Sequence, residues 1–142
     1  SWKGRFTVIN KKPLFIVDGA HNAGAADKMA ESVRHYFNGK KLIYIMGVFA
    51  DKEYKIVLEK TAHFAEKIYT IETPDNPRAL PAEELAKAAR VYNSSAESTK
   101  SIKDAVEKAF SCAGDDENSV ILAFGSLSFI GALTNAVEEY VG

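Results

Sequence analysis

The chain of 142 residues is 46% hydrophobic and 26% charged, which suits one ordinary globular core and is too short for two. Its 18 basic and 19 acidic residues give a net charge of −1 without blocks of either sign, so the electrostatic footprint of a nucleic-acid or anionic-membrane binder is missing. A single cysteine, Cys112, rules out an internal disulfide. With no apolar run of membrane length and no signal peptide, the expected home is a reducing cytoplasm.

Residues 1–5 start without a cap or an initiator Met and read as the remnant of an interdomain linker, so a preceding domain is expected and residues 6–142 form one domain. Phe6 to Ile9 alternates weakly before the polar turn Asn10-Lys11-Lys12-Pro13, which predicts a hairpin at a sheet edge with the next strand. That strand, Leu14-Phe15-Ile16-Val17, is continuously apolar, as in a buried parallel sheet. A helix follows, with Asn22 as N-cap, an inner stripe of Ala26, Met29 or Ala30, Val33 and Phe37, and Gly39 suited to a left-handed ending. Leu42 to Met46 is a second buried strand, and a helix from Glu53 to Ala65 turns Val57, Thr61 and Phe64 inward.

Lys67 to Glu72 is a third strand, closed by the breaker-rich segment Thr73 to Arg78 before a helix from Pro81 through Ala89. Val91 to Lys100 is polar and holds at most a short edge strand. Ser101 caps a helix striped with Ile102, Ala105, Val106, Ala109 and Phe110, on which Cys112 reads as a small buried filler. Val120 to Phe124 is the fourth strong strand. After the turn Gly125 to Ser128, a last helix turns Ile130, Leu133, Val137 and Tyr140 inward. The alternation predicts an α/β fold: a Rossmann-like, doubly wound, mostly parallel sheet with helices on both faces and the four turns gathered at one edge.

In such sheets ligands collect outside the carboxyl ends of the strands, close to helix N-termini that favour anions. Asp18, His21 and Asn22 fall there. Asp18 could accept from the hydroxyls of a ribose or simply hold a turn, and His21 could meet a carboxylate or phosphate or be an ordinary loop histidine. Lys52 offers a point charge, and Arg5 and Arg78 offer planar forks, for carboxylate or phosphate, with solvated surface charge as the alternative. Ser126 could hold a carboxylate or act as a plain N-cap. Gly19 and Gly24 have the spacing of a phosphate-binding P-loop, but Ala25-Ala26 stand where its Lys and Ser/Thr belong. His35 and His63 each sit mid-helix without a second ligand, and no structural metal is expected.

Taken together, these segments carry a resemblance. Asp18-Gly19-Ala20-His21-Asn22 after an apolar strand resembles the signature of the C-terminal domain of the Mur ligase superfamily. Gly125-Ser126-Leu127 with Asp51-Lys52 is similar to the folate branch, the folylpolyglutamate synthases and their bifunctional dihydrofolate synthase relatives. Trp2-Lys3-Gly4-Arg5 is similar to the Trp-Pro-Gly-Arg segment through which that family's chain passes from its ATPase domain, with Lys3 in place of the usual Pro and Ala23 in place of a frequent Pro after the Asn.

The resemblance implies an ATP-dependent, amide-forming ligase. ATP and Mg2+ would be held mainly by an N-terminal P-loop ATPase domain, and L-glutamate would be joined to a folate carboxylate through an acyl phosphate, with no nucleic acid or membrane involved. It further implies that Arg5 reaches ATP phosphates, Asp18 the ribose and Asn22 the adenosine. His21 and Lys52 would be the catalytic groups, and would bind the incoming glutamate together with Arg78 and Ser126. Asp75-Asn76-Pro77-Arg78 also resembles the element that recognises the added amino acid in the diaminopimelate- or lysine-adding peptidoglycan ligases, which supplies a second reading. A third, from another class, is a non-catalytic nucleotide or amino-acid binding module. On the first reading the domain alone is inactive.

Overall fold

The computed structural model describes residues 6–50 and 53–142. Its regular elements are β1 (Thr7–Lys11), β2 (Leu14–Val17), α1 (Ala23–Tyr36), β3 (Lys41–Gly47), α2 (Tyr54–Thr61), β4 (Ala65–Thr70), α3 (Ala82–Ala89), β5 (Glu97–Ser98), α4 (Ile102–Ala113), β6 (Ser119–Gly125) and α5 (Ile130–Val141). The strands form one sheet in the order β1-β2-β6-β3-β4-β5. Among the described strands only the β1–β2 pair is antiparallel, so the expected edge hairpin is present on an otherwise parallel sheet. The first strand of that hairpin runs on to Lys11, two residues into the turn expected from Asn10 onward.

Strand side chains alternate between two cores, as the period of two requires. Ile16, Tyr44, Met46, Ile68, Leu122 and Phe124 face one side, where α1, α2 and α3 bring Met29, Val33, Leu58 and Leu85. Phe15, Val17, Ile43, Ile45, Ile121 and Ala123 face the other, where α4 and α5 bring Val106, Ala109, Phe110, Leu133 and Val137. The sheet is therefore doubly wound. The short β5 answers to the edge strand expected within Val91–Lys100.

Some boundaries differ from expectation for physical reasons. The helix expected to reach Ala65 ends at Thr61, and a 3-10 turn over Ala62–Phe64 leads directly into β4. The Tyr44 hydroxyl donates to the Thr61 carbonyl at 2.7 Å, and the Asn93 amide donates to the carbonyls of Ala62 and Ala65 at 2.8 and 2.7 Å. These distant donors satisfy the carbonyls that a longer helix would have used. Tyr140 does not point inward but is exposed, stacked on Phe110 with ring centroids 4.5 Å apart. Cys112 is half-buried rather than enclosed. Gly39 takes φ +80 in the turn beyond Phe37, which itself forms the C-cap of α1.

Tyr44 is fully buried against Phe124 in an edge-to-face pair at 4.9 Å, and burial pushes its phenol above the ordinary tyrosine value. Replacing Tyr44→Phe leaves the Thr61 carbonyl without that donor and is expected to lower stability by about 1 to 2 kcal/mol in urea unfolding of this chain. The folded chain holds the phenol proton more tightly than the unfolded one. The wild type therefore loses this contribution as pH rises above about 10, and the variant should show a smaller alkaline loss. Equal stability of the two chains would remove the Tyr44–Thr61 bond from the account.

Candidate functional site

The winding of the sheet opens a crevice at one place. The chains leaving β2 and β3 turn toward the face covered by α1 and α2, whereas the chain leaving β6, which lies between them, turns toward α5 on the opposite face. Divergence of this kind is where open α/β sheets bind ligands. The turn after β6 depends on Gly125, at φ +119, whose Cβ would fall on the Gly47 carbonyl oxygen. That carbonyl accepts from the Ser126 N–H at 2.8 Å, so β6 and β3 stay joined at the lip of the crevice.

The Asp18–Asn22 turn forms one wall. Asp18 is 2% exposed; its N–H donates to the Ala123 carbonyl at 3.0 Å, and its Oδ1 accepts from the Ala20 N–H at 2.9 Å. The turn-forming role is thus realised. His21 Nδ1 lies 2.8 Å from the Gly19 carbonyl oxygen. Because a carbonyl only accepts, Nδ1 carries the proton, which in the neutral ring makes Nε2 an acceptor. Asn22 caps α1 by accepting from the Ala25 N–H at 2.9 Å, as expected. The neighbouring Ala23 N–H donates to Glu53 Oε1 at 2.9 Å, placing a carboxylate at the positive end of that helix.

Ser126, 7% exposed, caps the short 3-10 turn over Leu127–Phe129. Its Oγ accepts from the Ser128 N–H at 3.2 Å and lies 2.7 Å from the Ser128 hydroxyl. On the far side, the segment carrying Arg78 runs antiparallel to the extension of β3. The Ala50 N–H donates to the Arg78 carbonyl at 2.7 Å, and the Leu80 N–H donates to the Val48 carbonyl at 3.0 Å. The Arg78 guanidinium lies 4.6 Å from the centroid of the Phe49 ring.

A cavity of about 260 Å³ brings together His21, Arg78 and Ser126, with Val48, Phe49 and Leu127 as apolar walls. Asp18 and Asn22 belong to the adjoining turn and do not line it. Arg5, Lys52 and the linker residues 1–5 lie outside the described residues. A larger groove, about 1100 Å³, sits at the amino ends of the strands. There Lys12 pairs with Glu117 at 3.6 Å, and the lining offers mixed surface charge without a helix N-terminus. Among the described residues, no group of three or more His, Cys, Asp and Glu side chains is placed to hold a metal ion, and no helix is long and apolar enough to cross a membrane.

Sequence reasoning gave no functional role to Phe49, Glu53 or Thr73, and named Leu127 only as part of the Gly125-Ser126-Leu127 motif. Leu127 is 60% exposed, and its side chain packs where Gly19 lacks one, a Cβ there coming 3.1 Å from Leu127 Cδ2. The Thr73 hydroxyl is buried without a partner among the described residues. The available signal for Phe49 and Leu127 was position: large apolar residues directly after strand ends, where the chain leaves the core.

The family described as Mur ligase, glutamate ligase domain, matches residues 4–127. The dihydrofolate synthase/folylpolyglutamate synthase of Bacillus subtilis is 28% identical over 138 residues, which make up 97% of this chain and 31% of that protein. The structure of Thermotoga maritima folylpolyglutamate synthase is 26% identical with a TM-score of 0.73, over 96% of this chain and 30% of that one. A structure of Mycobacterium tuberculosis folylpolyglutamate synthase complexed with ADP and AMPPCP is 24% identical with a TM-score of 0.80, over 100% of this chain and 33% of that one. The chain thus spans about a third of the length of these relatives.

Gly125→Ala is expected to destabilise the domain by at least about 1 to 3 kcal/mol, the cost of a side chain in this backbone region, with the encounter with Gly47 added to it. Chemical unfolding of the two chains measures the difference. A neutral substitution would mean that the β6 turn adopts another backbone conformation.

Proposed function

We propose, from the premise that this chain belongs to the Mur ligase glutamate ligase domain family, that it is the amino-acid- and nucleotide-contacting domain of an ATP-dependent ligase joining L-glutamate to a folate carboxylate. The observation that carries the reading is the gathering of His21, Arg78 and Ser126, from connections far apart in sequence, around one cavity at the split between β6 and its neighbours. The named relatives support the folate branch over the peptidoglycan ligases. They also support a second, larger part of the protein as the partner of this domain.

In the reaction, ATP phosphorylates the folate carboxylate, and the glutamate amine attacks the resulting acyl phosphate; the C–N bond forms as the C–O bond to phosphate breaks. Such steps depend on placing reactants and stabilising charge rather than on covalent help from the protein. On this reading Ser126 and Arg78 meet the carboxylates of the incoming glutamate. His21, fixed through Nδ1, turns Nε2 to the same reactants. Asp18 and Asn22 approach the ribose and adenosine, while Arg5 and Lys52 supply positive charge toward phosphates and the acyl phosphate. On this reading the metal and the triphosphate belong with the larger part, and this chain alone is inactive.

The test is steady-state kinetics of the full-length parent. Asp18→Asn keeps an acceptor for the Ala20 N–H but removes the charge. It is expected to raise the KM for ATP roughly 10- to 150-fold, the range of a lost hydrogen bond to a charged group, with little change in the KM for glutamate. Ser126→Ala and His21→Ala should show the opposite pattern. An unchanged ATP constant in Asp18→Asn would remove the ribose assignment, and glutamate constants unmoved by both other variants would remove the amino-acid site.

A further inference from the structure

Arg78 is exposed, yet its backbone is held on both sides. The backbones of Phe49 and Ala79 form an antiparallel bridge, flanked by the Ala50–Arg78 and Leu80–Val48 hydrogen bonds. The Asn76 side chain accepts from the Arg78 N–H at 2.9 Å, closing the turn before it. With both backbones hydrogen-bonded to each other, the Arg78 Cζ lies over the Phe49 ring, 4.6 Å from its centroid, on the wall of the cavity that His21 and Ser126 also line. An arginine otherwise samples many rotamers, and holding it on a ring removes much of that freedom before a ligand arrives.

We propose that Phe49 is a specificity-determining positioning residue: by holding the Arg78 guanidinium against its ring, it fixes the point at which the side-chain carboxylate of an acidic amino acid is read. The inference rests on the glutamate reading above and deepens it. Val48, Phe49 and Leu127 give the cavity apolar walls suited to a short methylene stem, and Arg78, Ser126 and His21 line it with polar groups. A neutral amide side chain can accept a hydrogen bond from the cation but lacks the charge pairing of a carboxylate, so Phe49 acts on selectivity for charge.

The experiment uses the full-length parent with Phe49→Leu, Phe49→Met and Phe49→Tyr, alone and combined with Arg78→Ala, and follows incorporation of L-glutamate and L-glutamine. Losing the ring is expected to raise the KM for glutamate roughly two- to thirtyfold, the span of a cation–π contact. The preference for glutamate over glutamine should fall by the same factor while the KM for ATP holds. Phe49→Tyr keeps the ring and should restore wild-type behaviour. In the Arg78→Ala background, loss of the ring should add little, because the two residues act as one unit. Thermal melts identify any variant that is merely unfolded, and the Leu and Met replacements test the same contact independently. Losses that add fully to those of Arg78→Ala, an equal loss in Phe49→Tyr, or an unmoved glutamate preference would overturn the proposal while leaving the ligase reading intact. A wild-type parent that adds no glutamate would overturn that reading and this inference with it.

Discussion

The hydrogen bond from the Ser126 N–H to the Gly47 carbonyl fixes the geometry on which the site depends. It lies where two parallel neighbours part company, one chain leaving toward α2 and the other toward α5. A side chain at position 125 would occupy the space of the acceptor, so the bond is available only to glycine there. Once that junction is held, the three turns that line the cavity have little choice of direction. The Asp18–Asn22 turn is tied to β6 through the Ala123 carbonyl, the Phe49 segment is carried by β3, and the Arg78 segment is sewn to Phe49. A functional surface is thereby built from short loops on a rigid sheet, which restricts the motion of each polar group.

Most of this architecture was legible in the residue pattern because it follows from local rules. Continuous apolar runs of about four or five residues marked β2, β3 and β6, and the separation of the strands by amphipathic segments marked the winding. Asn22 and Ser101 were readable as caps because capping is a contact within a few residues, and both accept the expected N–H. The end of α2 was not readable. Val57, Thr61 and Phe64 keep helical spacing through the boundary, while the donors that end the helix come from Tyr44 and Asn93, far away in sequence.

The same distinction governs the site. Asp18, His21 and Ser126 could be singled out because they follow apolar strands. That Arg78 shares a cavity with His21 and Ser126 depends on the antiparallel bridge at Phe49 and Ala79, a long-range pairing without a sequence signature. Phe49 was legible only as an apolar residue in a loop. Its partner turns it from a hydrophobic remainder into part of an electrostatic device.

The edges of the sheet bear on how this chain behaves at high concentration. At one edge β5 has only two residues, and Glu97 sits between Lys67 at 2.8 Å and Lys108 at 3.2 Å. The Lys67 hydrogen bond leads in holding the Glu97 carboxyl below its usual range. At the other edge β1 carries Asn10 and Lys11 and is bulged between Val8 and Asn10. Short length, charge and a bulge are the features by which β proteins discourage strands of other molecules from joining. Self-association by sheet extension, and the route to cross-β aggregation that begins with it, is therefore obstructed at both edges.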